Sequence, residues 1–335
     1  MQVNEISLEF KQLHRKFIND FNLPLQVVQE PFFHERLTLL EEEYGAQTKY
    51  LTLSETLRDH FDSKPGKFME YGHSLADKII GSIINSDAYK ENFIKELPVK
   101  KEVDDFLRIA KDNNLGMKKK LYTQEQDGCM FVSFDMKTAN FQLMKYICPA
   151  LVKDEKSYEN FISRFTDIDY FKVAKGLRQA IFGKINPQDV SNAEFIKSCE
   201  FALSMVDSLA KRKYEPYSLN NDEVIFKFKA TEEEFLKDAQ NSLTSLVSPE
   251  GIVFRVEKFK LHSRKFQLAT SEQELCVFEK EDILKPDKRK IFCCPATYYP
   301  QVYKLLHGLE IKENDLVFYY EHELCKFLNP LKLIK

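Results

Sequence analysis

Apolar residues recur along the first hundred positions at three- and four-residue spacing. Ile6, Phe10, Leu13 and Phe17 line one face of a helix. A turn at 22–24 follows. Pro31 stands where a second helix opens, with Phe32, Phe33, Leu37 and Leu40 on its apolar side. Further helices are expected over 53–61 and 67–85. From residue 129 the period changes. Cys129-Met130-Phe131-Val132-Ser133-Phe134 reads as a strand that ends on Asp135, and a helix-compatible segment follows, with Phe141, Met144, Lys145 and Ile147 continuing it to Pro149. Helices are expected over 155–182 and 193–213, with a break at 183–189. Residues 214–221 form a turn-rich lead-in to 222–228, and the whole reads as a hairpin of two short strands with Asp222 and Glu223 at the bend. Thr231-Glu232-Glu233-Glu234 forms a capping box that opens a helix to about residue 246. Gly251 then begins a region rich in β-branched and aromatic residues, with strands over 252–268, 275–279 and 290–294. A short helix at 299–307 and a strand–helix end near 316–328 close the chain. The pattern predicts an α+β fold, an antiparallel sheet with packed helices, in three regions: a helical N-terminal part (1–100), a mixed core (101–250) and a β-rich C-terminal part (251–335).

Composition narrows the function classes. Hydrophobic residues make up 43% of the 335 and charged residues 30%, a globular mixture and not a disordered one. There are 28 phenylalanines and no tryptophan, so the interior is expected to be phenylalanine-rich and Phe alone marks no stacking platform. The net charge of −3 does not advertise nucleic-acid binding, although a local basic groove can sit on an acidic molecule. Seven cysteines, an odd number with no C-x-x-C pair, argue against a disulfide framework or a zinc site and fit a reducing, cytoplasmic compartment. Cys293-Cys294 sits in an apolar run and is expected to be buried. The charged, amphipathic N-terminus has no apolar signal core, and no stretch approaches a membrane span, so neither a secretion signal nor a membrane is expected.

Candidate chemistry lies in the acids. No G-x-S-x-G, G-x-x-x-x-G-K-[ST] or G-x-G-x-x-G is present, and the seven histidines form no local motif. Two-metal phosphoryl transfer, by contrast, needs carboxylates that converge on two ions roughly 3.5–4 Å apart. Asp135 at a strand end and Asp222-Glu223 in a hairpin fit that need, each beside an apolar strand that would hold its carboxylate on a rigid element. The segment Phe131–Phe141 resembles the first palm motif of nucleic-acid polymerases. The segment Tyr217–Phe226 is similar to the His-Asp-Glu hairpin of family A DNA polymerases, with Asn221 in place of His. It is also similar to the Ser-Asp-Glu segment of tRNA-His guanylyltransferases. Between them, Lys172–Gly183 resembles the basic fingers helix of family A, and at helical spacing Lys175, Arg178, Gln179 and Phe182 share a face.

The resemblance covers about 100 residues. It implies a palm-like core with a helical fingers-like insertion, and a nucleotidyltransferase that uses Mg²⁺ or Mn²⁺. Asp135, Asp222 and Glu223 would organise metal. Lys175 and Arg178 would hold the triphosphate of an NTP or dNTP, and Phe182 would lie by the base or template. The primer would be nucleic acid or a protein hydroxyl.

Other readings stay open. Lys258, Lys260, His262 and Arg264 alternate with Phe259 and Leu261, and that basic strand face either tracks a phosphate backbone or is a solvated sheet face. The same alternation puts Arg255 and Glu257 opposite Phe254. His34, Glu35 and Arg36 with Glu41–Glu43 read as a solvated helix face with ion pairs. Lys118-Lys119-Lys120 reads as a solvated basic run, and His322 between Glu321 and Glu323 as a helix start. At the level of function, the alternatives are a non-catalytic nucleic-acid-binding or scaffold protein, with or without a protein partner, and a metal-dependent nuclease that uses the same acids.

Overall fold

The computed structural model describes residues 7–116, 119–185, 187–240, 244–268, 273–286, 289–321 and 323–334. Ile6, Lys118 and His322 lie outside them. The strands among the described residues are β1 (Met130–Met136), β2 (Tyr214–Leu219), β3 (Glu223–Phe228), β4 (Ser245–Val247), β5 (Val253–Gln267), β6 (Glu274–Asp282), β7 (Arg289–Phe292), β8 (Val317–Tyr320), β9 (Glu323–Lys326) and β10 (Lys332–Leu333). The main sheet runs β2-β3-β1-β5-β6-β7, with β4 and β10 also on β5, and every pairing is antiparallel. β8 and β9 form a separate ribbon.

Helices separate β1 from the β2–β3 hairpin, and the helix Glu232–Gln240 separates the hairpin from β4 and β5. The succession strand–helix–strand–strand–helix–strand, with β1 between β3 and β5, is the split βαβ arrangement. The expected α+β class is therefore observed, with a helical N-terminal part and a strand-rich C-terminal part.

Strand alternation sorts β1 cleanly. Val132, Phe134 and Met136 face the helices Lys100–Asp112, Ala139–Ile147 and Pro187–Lys211 in one buried core, together with Phe226, Phe254 and Leu143. Phe131 faces the other way, against Leu121, Tyr217, Ile225, Phe259 and Phe278. A larger core joins the N-terminal helices to the segment 141–190 and to Phe266, Val277, Ile291, Tyr299 and Leu331 of the C-terminal region.

Local chemistry follows the sequence in many places. Thr231 and Glu234 complete the capping box, each side chain accepting the other's backbone N–H at 3.3–3.4 Å. The expected 155–182 helix is instead three short ones, Tyr158–Ser163, Asp169–Val173 and Lys175–Phe182. Buried Thr166 explains one break, because its hydroxyl accepts from the Ile168 N–H and the Tyr71 hydroxyl and so competes with the helical ladder. The chain end expected as strand then helix is the β8–β9 ribbon. Cys293 is exposed and Cys294 half-buried, because β7 stops at Phe292 and Cys293 turns out in a left-handed conformation (φ 61°). Arg36 is not solvated either: it is buried and donates to the Val317 carbonyl. All seven cysteines are free, and among the described residues no helix is long and apolar enough to cross a membrane.

Phe226 is fully buried at the centre of β3, beneath the helices. Phe226→Ala is expected to cost about 3–5 kcal/mol. A urea titration should show a lower midpoint with an unchanged slope. A midpoint shift too small to measure would mean that this face is not the tightly packed core described.

Candidate active site

The site begins where β1 ends. After Met136 the chain turns through Thr138, in a left-handed conformation (φ 51°), into the helix Ala139–Ile147. In the ladder, Asp135 lies opposite Glu223 of β3 on one side and Arg255 of β5 on the other. The β2–β3 bend is built from Asn220, Asn221 and Asp222, residue types that favour tight turns. The Asn220 N–H donates to the Glu223 carbonyl at 2.8 Å. The Met136 N–H donates to the Asp222 carbonyl at 2.7 Å, which draws the bend against the end of β1. Gln142 ties the same corner to β5: its amide oxygen accepts from the Val253 N–H at 2.7 Å and its amide nitrogen donates to the Val253 carbonyl at 3.0 Å.

The helix Lys175–Phe182 faces this corner. It is seated on the helix Leu8–Phe21 through Gly176, where an added Cβ would lie 2.2 Å from Asp20 Oδ1 and 3.2 Å from Asp20 Cα. Asp20 is buried and accepts from the Tyr170 hydroxyl at 2.7 Å and the Lys16 ammonium at 2.9 Å. Only glycine permits this approach.

A cleft of about 650 Å³ results, and it gathers four of the residues singled out from sequence: Asp135, Asp222, Lys175 and Arg178. Lys137, Thr138, Asn140, Gln179 and Arg255 line it as well. Glu223 is beside Asp135 in the ladder but does not line the cleft. Phe182 does not reach it. That ring is 1% exposed and meets Phe141 and Tyr158 edge-on at 6.4 and 6.1 Å, so no face is open to a base.

The basic face of β5 is not an open strip. Lys258 is buried against Asp238, Lys260 pairs with Glu232 at 2.6 Å, and Arg264 pairs with buried Glu279.

The electrostatics of the cleft are uneven. Asp135 Oδ2 accepts from Arg255 Nη2 at 2.8 Å. Burial raises the Asp135 carboxyl above its usual range, against the pull of Arg255 and with help from Asp222. Burial also raises Glu223, opposed by Lys280. Behind Asp222 stands Glu194 of the helix Pro187–Lys211, buried, with Oε1 lacking a partner. Burial, and then the charge of Asp222, lifts its pKa from 4.5 to about 7. Across the cleft, Arg178 is half-buried over the Tyr158 ring at 5.5 Å, and burial lowers its pKa. Among the described residues no ion pair engages Lys175 or Arg178. The lining carries four cations (Lys137, Lys175, Arg178, Arg255) and two carboxylates (Asp135, Asp222).

Among the described residues no group of three or more His, Cys, Asp and Glu side chains is placed to hold a metal ion. Mg²⁺ commonly keeps several waters and takes one or two carboxylates together with substrate phosphates. The donor set therefore fits a metal shared with a polyphosphate, and does not fit one caged by protein alone.

Sequence reasoning missed Glu194, Gln142 and the pairing role of Arg255. The alternation along β5 already set Arg255 apart from Phe254, but no local signal places it opposite Asp135. Glu194 has no local signal at all, because its proximity to Asp222 arises only when a long helix packs on the hairpin. Compared with protein-family models, curated proteins and solved structures, the chain matches none.

Two predictions follow from the geometry. Glu194 binds a proton more tightly folded than unfolded, so between about pH 4.5 and about 7 the native state holds the extra proton and stability falls as pH rises. Glu194→Gln should flatten that window and leave the variant more stable than wild type at pH 8, read from urea midpoints across pH. Parallel profiles would mean that Glu194 is solvated. Gly176→Ala should lose about 1–3 kcal/mol from overpacking against Asp20. An unchanged urea midpoint would mean that the helix is not tightly seated there.

Proposed function

We propose that the chain is a palm-type nucleotidyltransferase that adds nucleotides to a nucleic-acid or protein primer. The observation that carries this reading is the cleft itself. Two carboxylates of a split βαβ sheet, Asp135 near the end of β1 and Asp222 in the β2–β3 bend, line one cleft with two cations of a separate helix, Lys175 and Arg178, which no ion pair engages among the described residues. Arg178 and Lys175 would take the triphosphate, the guanidinium offering a fork of donors to phosphate oxygens. Their half-buried setting strengthens each contact relative to open water. Asp135 and Asp222 are the residues that would hold Mg²⁺ or Mn²⁺, which supplies activation of the attacking hydroxyl and charge relief at the leaving pyrophosphate. Glu223 and Glu194 stand behind them, and burial raises the proton affinity of both carboxyls.

A second reading has its own support. Asp135 is closed by Arg255, and among the described residues no third carboxylate lines the cleft with the pair. A non-catalytic protein that binds phosphate-bearing ligands or nucleic acid through Lys175 and Arg178 would keep that arrangement.

A nucleotide-incorporation assay separates the two. Purified wild type is supplied with labelled NTPs or dNTPs, Mg²⁺ or Mn²⁺, and DNA, RNA, tRNA and protein primers. Product is expected from wild type and only background from Asp135→Ala and Asp222→Ala. Arg178→Gln should raise the KM for nucleotide by about tenfold or more, as loss of a charge-assisted contact does. No product under any condition, with wild type and both aspartate variants binding nucleic acid equally and Arg178→Gln binding it more weakly, would move the protein to the binding role.

A further inference from the structure

Arg255 poses a problem for the reading of the cleft as a metal-dependent site. It occupies the carboxylate that the chemistry needs free. The pair is no accident of a surface side chain, because Arg255 and Asp135 are direct cross-strand partners in the β1–β5 register. The backbone on either side is fixed: Gln142 clamps Val253, and the Val256 N–H donates to the Thr244 carbonyl at 2.9 Å. The guanidinium is not fixed in the same way, since the Arg255 side chain is 55% exposed. Its second contact, Nε to Glu257 Oε1, is long at 3.4 Å. Glu257 is also paired with Lys280, so it keeps a cation when Arg255 moves.

We propose that Arg255 is a latch on Asp135: in the free protein it neutralises the carboxylate and keeps a divalent cation out, and it transfers to the phosphates of an incoming polyphosphate. This deepens the nucleotidyltransferase reading and rests on it. The consequence is an order of binding. A divalent cation alone meets four positive side chains and two carboxylates, one of them already paired. A polyphosphate meets Lys175 and Arg178, which no ion pair engages among the described residues, reverses the sign of the cleft, and gives the Arg255 guanidinium a better acceptor than a single carboxylate. Asp135 is then released, beside Asp222, at the moment a phosphate-bound cation arrives. Metal and nucleotide enter together, and the site holds no free metal between turnovers.

The test is a Mn²⁺ titration of the full chain, followed by the electron paramagnetic resonance signal of free aqueous Mn²⁺, with and without an α,β-methylene nucleoside triphosphate. Free wild type should retain Mn²⁺ at least about tenfold more weakly than wild type with the analogue, after the Mn²⁺ bound by the analogue itself is subtracted. Arg255→Gln alone should retain Mn²⁺ about tenfold more tightly than free wild type and bind the analogue more weakly. Arg255→Lys should stay close to wild type in both.

Free wild type that holds Mn²⁺ as tightly as Arg255→Gln overturns the latch. If Arg255→Gln does not fold, wild type decides alone: equal Mn²⁺ affinity with and without the analogue overturns the latch while the analogue's binding upholds the cleft. Wild type that binds no analogue at all overturns the nucleotidyltransferase reading itself, and the latch with it.

Discussion

The register of the central strand governs the rest of the structure. β1 is bonded along both edges, to β3 and to β5, and every second side chain points to the helix-covered face. A slip of one residue against either neighbour would turn Val132, Phe134 and Met136 out of that core and drive Asp135 into it. The hydrophobic contacts of three buried side chains therefore hold one carboxylate in place, at the end of the strand and on the opposite face. From that single constraint follow the placement of Glu223 and Arg255 opposite Asp135, and the approach of the Asp222 bend through the Met136 N–H.

That register carries a local cost. Two carboxylates directly opposite each other in antiparallel strands repel, by up to about 1 kcal/mol in ordinary sheets. Here Asp135 and Glu223 both sit partly buried, Asp222 is adjacent, and Glu194 lies behind; burial raises the proton affinity of Asp135, Glu223 and Glu194, and the charge of Asp222 adds to it in all three. Arg255 and Lys280 offset part of this. Local conflicts of this type, retained inside an otherwise consistent fold, mark functional sites more often than structural ones. A sheet selected for stability alone would place Thr or Val at either position.

Much of this was legible in the chain, for a definite reason. An apolar run ending on an aspartate identified β1, β-branched and aromatic residues identified β5, acidic residues between two short strands identified the β2–β3 bend, and the Thr231–Glu234 box opened its helix, because each is a short-range signal. Lys175, Arg178, Asp135 and Asp222 were each visible as residues on the right kind of element, and the structure brings them into one cleft. The failures among the candidate site residues are long-range. Phe182 shares a helical face with Arg178 in projection, but the ring is drawn into the core by Phe141 and Tyr158. Lys258, Lys260 and Arg264 alternate as a nucleic-acid strip would, yet Asp238, Glu232 and Glu279 from elsewhere in the chain engage them. The nearest of these partners, Glu279 to Arg264, lies 15 residues away on the next strand, beyond the reach of a local pattern.

The cleft itself depends on how two cores are joined. The acids belong to the sheet, whose helix-side core includes Ala139 and Leu143; the basic helix belongs to the larger core, which includes Phe141 and Met144. One helix, Ala139–Ile147, thus packs into both cores with alternate faces, and it starts three residues after Met136. Its Gln142 also clamps the start of β5 and so sets where Arg255 stands. The second joint is the Gly176–Asp20 contact, which transfers the position of the N-terminal helices to Lys175 and Arg178. Among the described residues the N-terminal region contributes none to the cleft lining, yet it seats the helix that carries the cations. A charge placed on the rigid side of such a joint needs little reorganisation when an anion arrives, which is the condition under which cations act most strongly on phosphate.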